Sequence, residues 1–221
     1  MSLTPAKMAL GLGSASAVGT GSYFVAKNLQ SQDAPKAKVK LSEQLVKDGF
    51  TLLNFESGDT HKSEWSTILS KYKADTKDRL EGVSLSSEGG QADHEAKNIN
   101  SLKLACKDLV GTEVASESYN KSRRWCVVPK GVKDSLVGQG KKVLNNEESK
   151  NDDRDSWAKK IASYDGKTLS LAGTDWSQAT SEDSKITAIK KGCKTLLEKG
   201  TKTHDSEFSS EYETALRWCV S

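Results

Sequence analysis

Proline (3 residues) and aromatic side chains (6%) are scarce in this 221-residue chain, and neither charge sign dominates it. So little proline, beside 17 glycines, excludes collagen-like repeats and proline-rich disorder. A net charge of +3, from 33 Lys and Arg against 30 Asp and Glu, gives no strong pull toward nucleic acid. A charged fraction of 29% excludes a polytopic membrane protein. The apolar share is only 35%, so any core is small, because burial has to offset about 1–2 kcal/mol of backbone entropy per ordered residue. The length fits one large domain or two of about 90–100 residues.

One apolar run stands out. From Met8 to Ala26 the chain carries no charge for 19 residues, all of them apolar, Gly, Ser or Thr. As a helix this run spans roughly 28 Å, close to the hydrocarbon thickness of a bilayer. A cleaved signal peptide is the competing reading, with Lys7 as its basic flank and Ala15-Ser16-Ala17 as its cleavage site. Cleavage there leaves a short apolar region and exposes Val18, Tyr23, Phe24 and Val25, so an uncleaved signal anchor over residues 1–27 is expected. Ala9, Gly13, Ala17 and Gly21 have the small-residue spacing that lets two spanning helices pair, which makes self-association a further expectation. Residues 28–40 are polar, contain Pro35 and read as a stalk. The expected topology is single-pass in the cell membrane with the C-terminal domains extracellular, although Lys27, Lys36, Lys38 and Lys40 argue the other way by the positive-inside rule.

Beyond the stalk the chain repeats itself. Leu45-Val46, Gly49 and Leu52-Leu53-Asn54 return as Leu136-Val137, Gly140 and Val143-Leu144-Asn145, at an offset of 91. Trp65, Leu69 and Tyr72 return as Trp157, Ile161 and Tyr164, at 92. Ile99, Leu102, Cys106, Lys107 and Leu109 return as Ile186, Ile189, Cys193, Lys194 and Leu196, at 87. Tyr119 and Arg124-Trp125-Cys126-Val127 return as Tyr212 and Arg217-Trp218-Cys219-Val220, at 93. Four blocks in one order at nearly constant offset describe two homologous units, 41–128 and 132–221, joined by 129–131. The matched residues are almost all apolar, aromatic, Gly or Cys, and point to packing. Trp65, Tyr72, Trp125, Trp157, Tyr164 and Trp218 are the expected repeat core. His61 stands opposite Asp153, and His94 and His204 have no histidine counterpart, so no catalytic pair is shared.

The blocks read mostly as helix. Trp65, Ile68, Leu69 and Tyr72 lie on one helical face, as do Trp157, Ile161 and Tyr164. Asn151, Asp152 and Asp153 are candidate N-caps for the second of these, and Thr180-x-x-Asp183 is an imperfect capping box for the helix that carries Cys193. Gly49 and Gly140 close a short opening helix. Phe208, Tyr212, Leu216 and Cys219 keep helical spacing, whereas the corresponding first-copy stretch is less periodic. The fold expected is mainly α: an N-terminal membrane helix, then two small helical bundles in tandem, with short β contacts allowed for.

Each unit holds two cysteines, Cys106 with Cys126 and Cys193 with Cys219. Three pairings are open, and the one within each unit makes every repeat a complete folding unit. Four reduced core cysteines in a cytosolic domain are the bland alternative. No C-x-x-C occurs, which counts against zinc and against a dithiol redox enzyme. A thiol-based redox enzyme or sensor at Arg124-Trp125-Cys126 and Arg217-Trp218-Cys219 is the functional alternative. The more ordinary reading of these motifs is a core Trp beside a solvated Arg. Gly11-x-Gly13 and Gly138-x-Gly140-Lys141-Lys142 are incomplete phosphate-loop patterns, and Asn120-Lys121-Ser122 is a formal glycosylation sequon. With Lys and Arg interspersed among Asp and Glu, there is no basic stripe for nucleic acid. No catalytic, cofactor-binding or metal-ligating residue is assigned.

The Ala-Lys-Met-Ala-Leu-Gly start, the Gly/Ala-rich apolar segment, and the repeated Trp, Tyr, Cys-Lys and Arg-Trp-Cys-Val blocks together span nearly the whole chain. In these it resembles the large paralogous sets of uncharacterised proteins of haemotropic mycoplasmas. That resemblance implies a membrane-anchored or exported protein in contact with a host-cell protein or antibody, and carries no catalytic residues. The two units in one chain depart from the pattern.

Overall fold

The computed structural model describes residues 39–87 and 90–221. The expected anchor (1–27) and the stalk as far as residue 38 lie outside the described residues. The described chain is mainly helical. In order come α1 (Leu41–Lys47), α2 (Lys62–Ala74), α3 (Gln91–Val110), α4 (Ser116–Trp125), α5 (Val132–Gly138), α6 (Arg154–Ser163), a 3₁₀ turn (Trp176–Gln178), α7 (Glu182–Glu198) and α8 (Phe208–Trp218). None of these helices is long and apolar enough to cross a membrane. The extended pieces among the described residues make only isolated antiparallel bridges, Lys40 to Glu113, Leu52 to Val127, Gly131 to Lys202 and Val143 to Val220.

The helices form where apolar side chains share a face. In α2 the buried set is Trp65, Ile68, Leu69 and Tyr72, one stripe at helical spacing. α1 and α5 stop at Gly49 and Gly140, whose left-handed φ of 77° and 71° turns the chain so that Phe50 N–H reaches back to Leu45 O and Lys141 N–H to Leu136 O. α4 is a regular helix despite its weak periodicity, because its buried face includes Ser122 and Arg124 beside Trp125.

Two capping expectations are corrected. Asp153 does sit at the N-cap of α6, but at φ 59° its side chain makes no cap hydrogen bond and turns back toward Asn145. The capping box of α7 lies one residue later than Thr180 and Asp183: Ser181 Oγ accepts from Ser184 N–H, and Ser184 Oγ accepts from Ser181 N–H. A serine hydroxyl is short enough to close that reciprocal pair, and it both donates and accepts.

Two hydrophobic clusters form, one from Leu45 to Val127 and one from Val132 to Val220, with no residue in common. The main helix packings follow one plan in both halves. In the first, α2 packs on α3, α1 on α3 and α4, and α3 on α4; in the second, α6 packs on α7, α5 on α7 and α8, and α7 on α8.

Candidate functional site

In each half the last helix ends in a Trp-Cys pair that is tied covalently to the long central helix. Cys106 of α3 is bonded to Cys126, with Cα atoms 5.4 Å apart, and Cys193 of α7 to Cys219, with Cα atoms 5.6 Å apart. All four sulfurs are engaged, and all four cysteines are fully buried. The backbone around each second cysteine also holds the extended segment of its own half, since Leu53 N–H donates to Cys126 O and Leu144 N–H to Cys219 O.

The aromatic residues are structural anchors with occupied polar ends. Trp65, Trp125, Trp157 and Trp218 are at most 1% exposed. Trp65 Nε1 donates to Asn54 O at 3.0 Å, and Trp157 Nε1 to Asn145 O at 3.1 Å. Trp125 Nε1 donates to Asp78 O at 2.7 Å, and Trp218 Nε1 to Leu169 O at 2.8 Å. Tyr72 and Tyr164 meet Trp125 and Trp218 edge to face, and their hydroxyls accept from Leu80 N–H and Leu171 N–H. Each Tyr-Trp pair thereby pins the loop that follows α2 or α6 onto the core.

Two pairs of polar side chains that recur at matched positions are spent on backbone. Asn54 and Asn145 each accept, through Oδ1, from the N–H two residues on. Lys103 and Lys190 interrupt the apolar stripes of their helices, yet they stand at the same offset of 87 as their flanking blocks. Both are buried, at 6% and 2% exposure. Lys103 Nζ donates to the carbonyls of Glu56 and Gly58, and Lys190 Nζ to those of Glu147 and Lys150. A buried ammonium so held staples the loop ahead of α2 or α6 to the central helix.

Arg124 corrects the expectation of a solvated neighbour to Trp125. It is 6% exposed, lies 4.4 Å over the Trp125 ring, and its guanidinium pairs with Asp75 and with Asp78, the latter at 3.0 Å. A buried guanidinium needs such partners, and the α2–α3 loop supplies them. The Asp75 carboxyl is held below the usual carboxylate range by the Lys77 N–H and by Arg124. Arg217 repeats the ring contact, 4.8 Å over Trp218, and no acidic partner for it is found among the described residues. The sequon at Asn120 lies inside α4 with Ser122 fully buried.

A polar seam joins the halves. Lys71 pairs with Asp205 at 2.7 Å, Arg124 Nε donates to His204 O at 3.2 Å, and Arg123 donates to Ser209 Oγ at 2.7 Å. Lys130 Nζ donates to Gly49 O at 2.9 Å. Two tyrosines at matched positions border this seam. Tyr119 donates to Asp48, and burial followed by that carboxylate pushes its hydroxyl well above the ordinary range. Tyr212 donates to Gln139, and burial raises it to about 12.

An apolar depression beside α1 is lined by Ser42, Glu43, Val46, Lys47 and Leu52, and another runs past Val132, Leu196 and Thr201; neither holds a histidine or cysteine. Among the described residues no three His, Cys, Asp or Glu side chains are grouped to hold a metal ion. No protein-family model matches the chain, and no similar curated protein or solved structure is found.

Proposed function

We propose that the chain is a non-enzymatic interaction protein: two homologous, disulfide-stapled helical units, carried on an N-terminal membrane helix, present their loops outside the cell to a host protein or antibody. The observation that carries this reading is the division of labour between matched and unmatched residues. The matched polar pairs Lys103 with Lys190 and Asn54 with Asn145 are used on the protein's own backbone. What differs between halves is loop content. Arg79 lies 4.2 Å over the Tyr72 ring in the first half, whereas Trp176 packs edge to face on Tyr164 in the second. A scaffold kept twice with its loops rewritten suits display better than a shared reaction centre. The resemblance to the haemotropic mycoplasma sets points the same way. The thiol-enzyme reading would need a free, accessible thiolate, and the four sulfurs are buried in disulfides.

Protease treatment of intact cells tests this reading. Cleavage in the exposed loops before lysis is expected, and protection of residues 41–221 until the cells are broken would refute surface display.

A further inference from the structure

His204 is the one histidine buried in the seam between the halves. Its side chain is 4% exposed, and its Nδ1 has no hydrogen-bond partner among the described residues. Its Nε2 lies 3.8 Å from Asp205 Oδ1, beyond hydrogen-bond reach. The turn that carries it makes two of the contacts across the seam: His204 O accepts from Arg124, and Asp205 pairs with Lys71. Thr203 N–H donates to Lys130 O at the entry to the second half, as Val114 N–H donates to Val39 O in the first.

We propose that His204 is a proton-operated latch: protonating its imidazole frees the 202–206 turn from Arg124 and Lys71 and lets the halves part while each keeps its own core. A proton would add a second N–H where the buried ring already lacks a partner, and a charge where water is excluded. The charged groups around it are mostly of the same sign. α2 contributes Lys71, α4 contributes Arg124, and the turn itself contributes Lys202. The linker contributes Lys130, whose Nζ is committed to Gly49 O. The single nearby carboxylate, Asp205, is already paired with Lys71 and accepts from Lys202 N–H. Asp75 and Asp78 are spent on Arg124. Burial therefore outweighs Asp205, and the imidazole titrates below its ordinary value of 6.5. The latched form then binds fewer protons than the open form, so latching strengthens as pH rises and weakens as pH falls below 6.5. Each half survives opening because its hydrophobic cluster and its disulfide are complete without the other.

Small-angle X-ray scattering on the full chain, from about pH 7.5 to about pH 5, reads the parting of the halves as a rise in radius of gyration, with the open-to-latched ratio changing by up to about tenfold per pH unit below the ordinary histidine value. The Leu53 and Leu144 amides, which donate to Cys126 O and Cys219 O within each half, should keep their protection from hydrogen exchange over the same range. In His204→Gln the radius should not change with pH. A constant wild-type radius, the same rise in His204→Gln, or loss of Leu53 and Leu144 protection in step with the rise would each overturn the proposal. Should His204→Gln not fold, exchange at the imidazole C2 proton of the wild-type chain decides: a midpoint below 6.5 supports the latch, and one at or above 6.5 overturns it.

Discussion

His61 and Asp153 hold the same left-handed backbone conformation, at φ 60° and 59°, and accept the same hydrogen bond. His61 Nδ1 takes the N–H of Asn54 at 2.9 Å, and Asp153 Oδ2 takes the N–H of Asn145 at 3.0 Å. Histidine and aspartate are among the few side chains that tolerate this conformation, and both offer an acceptor on a short arm. The same node is thus built twice from different chemistry. His61→Asp is expected to change stability by less than about 1 kcal/mol, whereas Asp153→Ala, which leaves the Asn145 N–H without its acceptor, should cost about 1–3 kcal/mol. Denaturant midpoints of the two variants check this. Lys142 and the Asn145 N–H hold the Asp153 carboxyl below its usual range, so its contribution is present above the ordinary value of 3.8 and is lost as pH falls through the folded value.

Gly49 and Gly140 end equivalent helices at nearly the same φ, but their surroundings differ. A Cβ on Gly49 would lie 2.4 Å from Gly138 O, while one on Gly140 meets nothing within 4 Å. Gly140→Ala should therefore cost only the left-handed penalty of about 1–2 kcal/mol. Gly49→Ala should cost clearly more, because the seam must move to admit the methyl group. Thermal melts of both variants compare the two directly.

Removing either buried ammonium should loosen one loop and leave the other half unaffected. Lys103→Met is expected to lose about 1–3 kcal/mol and raise amide exchange around Glu56–Gly58, and Lys190→Met to do the same around Glu147–Lys150. Exchange that spreads equally over both halves would contradict the assignment.

The two arginines beside the C-terminal tryptophans should separate sharply. Arg124→Met removes the partner of Asp75 and Asp78, which water can still reach, and should cost about 1.5–3 kcal/mol, whereas Arg217→Met loses mainly a ring contact of about 0.5–1 kcal/mol. Because the Lys77 N–H and Arg124 depress Asp75, the Arg124 contribution holds above the ordinary carboxylate value and is lost as pH falls through the folded one. Urea titrations of both variants at neutral and acid pH measure the difference.

What could be read from residue order alone was whatever repeats at short range. The Trp65–Tyr72 stripe is one turn-by-turn pattern, and it is the buried face of α2. Gly49 and Gly140 mark helix ends because only the backbone at that residue matters. Two cysteines at matched places in each half leave three pairings open, and the structure forms the one within each half. The pairing of Arg124 is not legible in residue order because its acidic partners lie 46 and 49 residues away, in a loop with no periodic signal. The roles of Lys103 and Lys190 are hidden for a related reason: their acceptors are backbone carbonyls, which leave no trace in side-chain identity. His204 stands out only once the seam has formed around it.

The most direct test of two self-contained, oxidised halves is a non-reducing peptide map of protein taken from its native source. Peptides linked through Cys106–Cys126 and through Cys193–Cys219 are expected, and reduction should remove about 3 kcal/mol from each half by opening loops of 20 and 26 residues. Four free thiols, or a bond from one half to the other, would contradict the account.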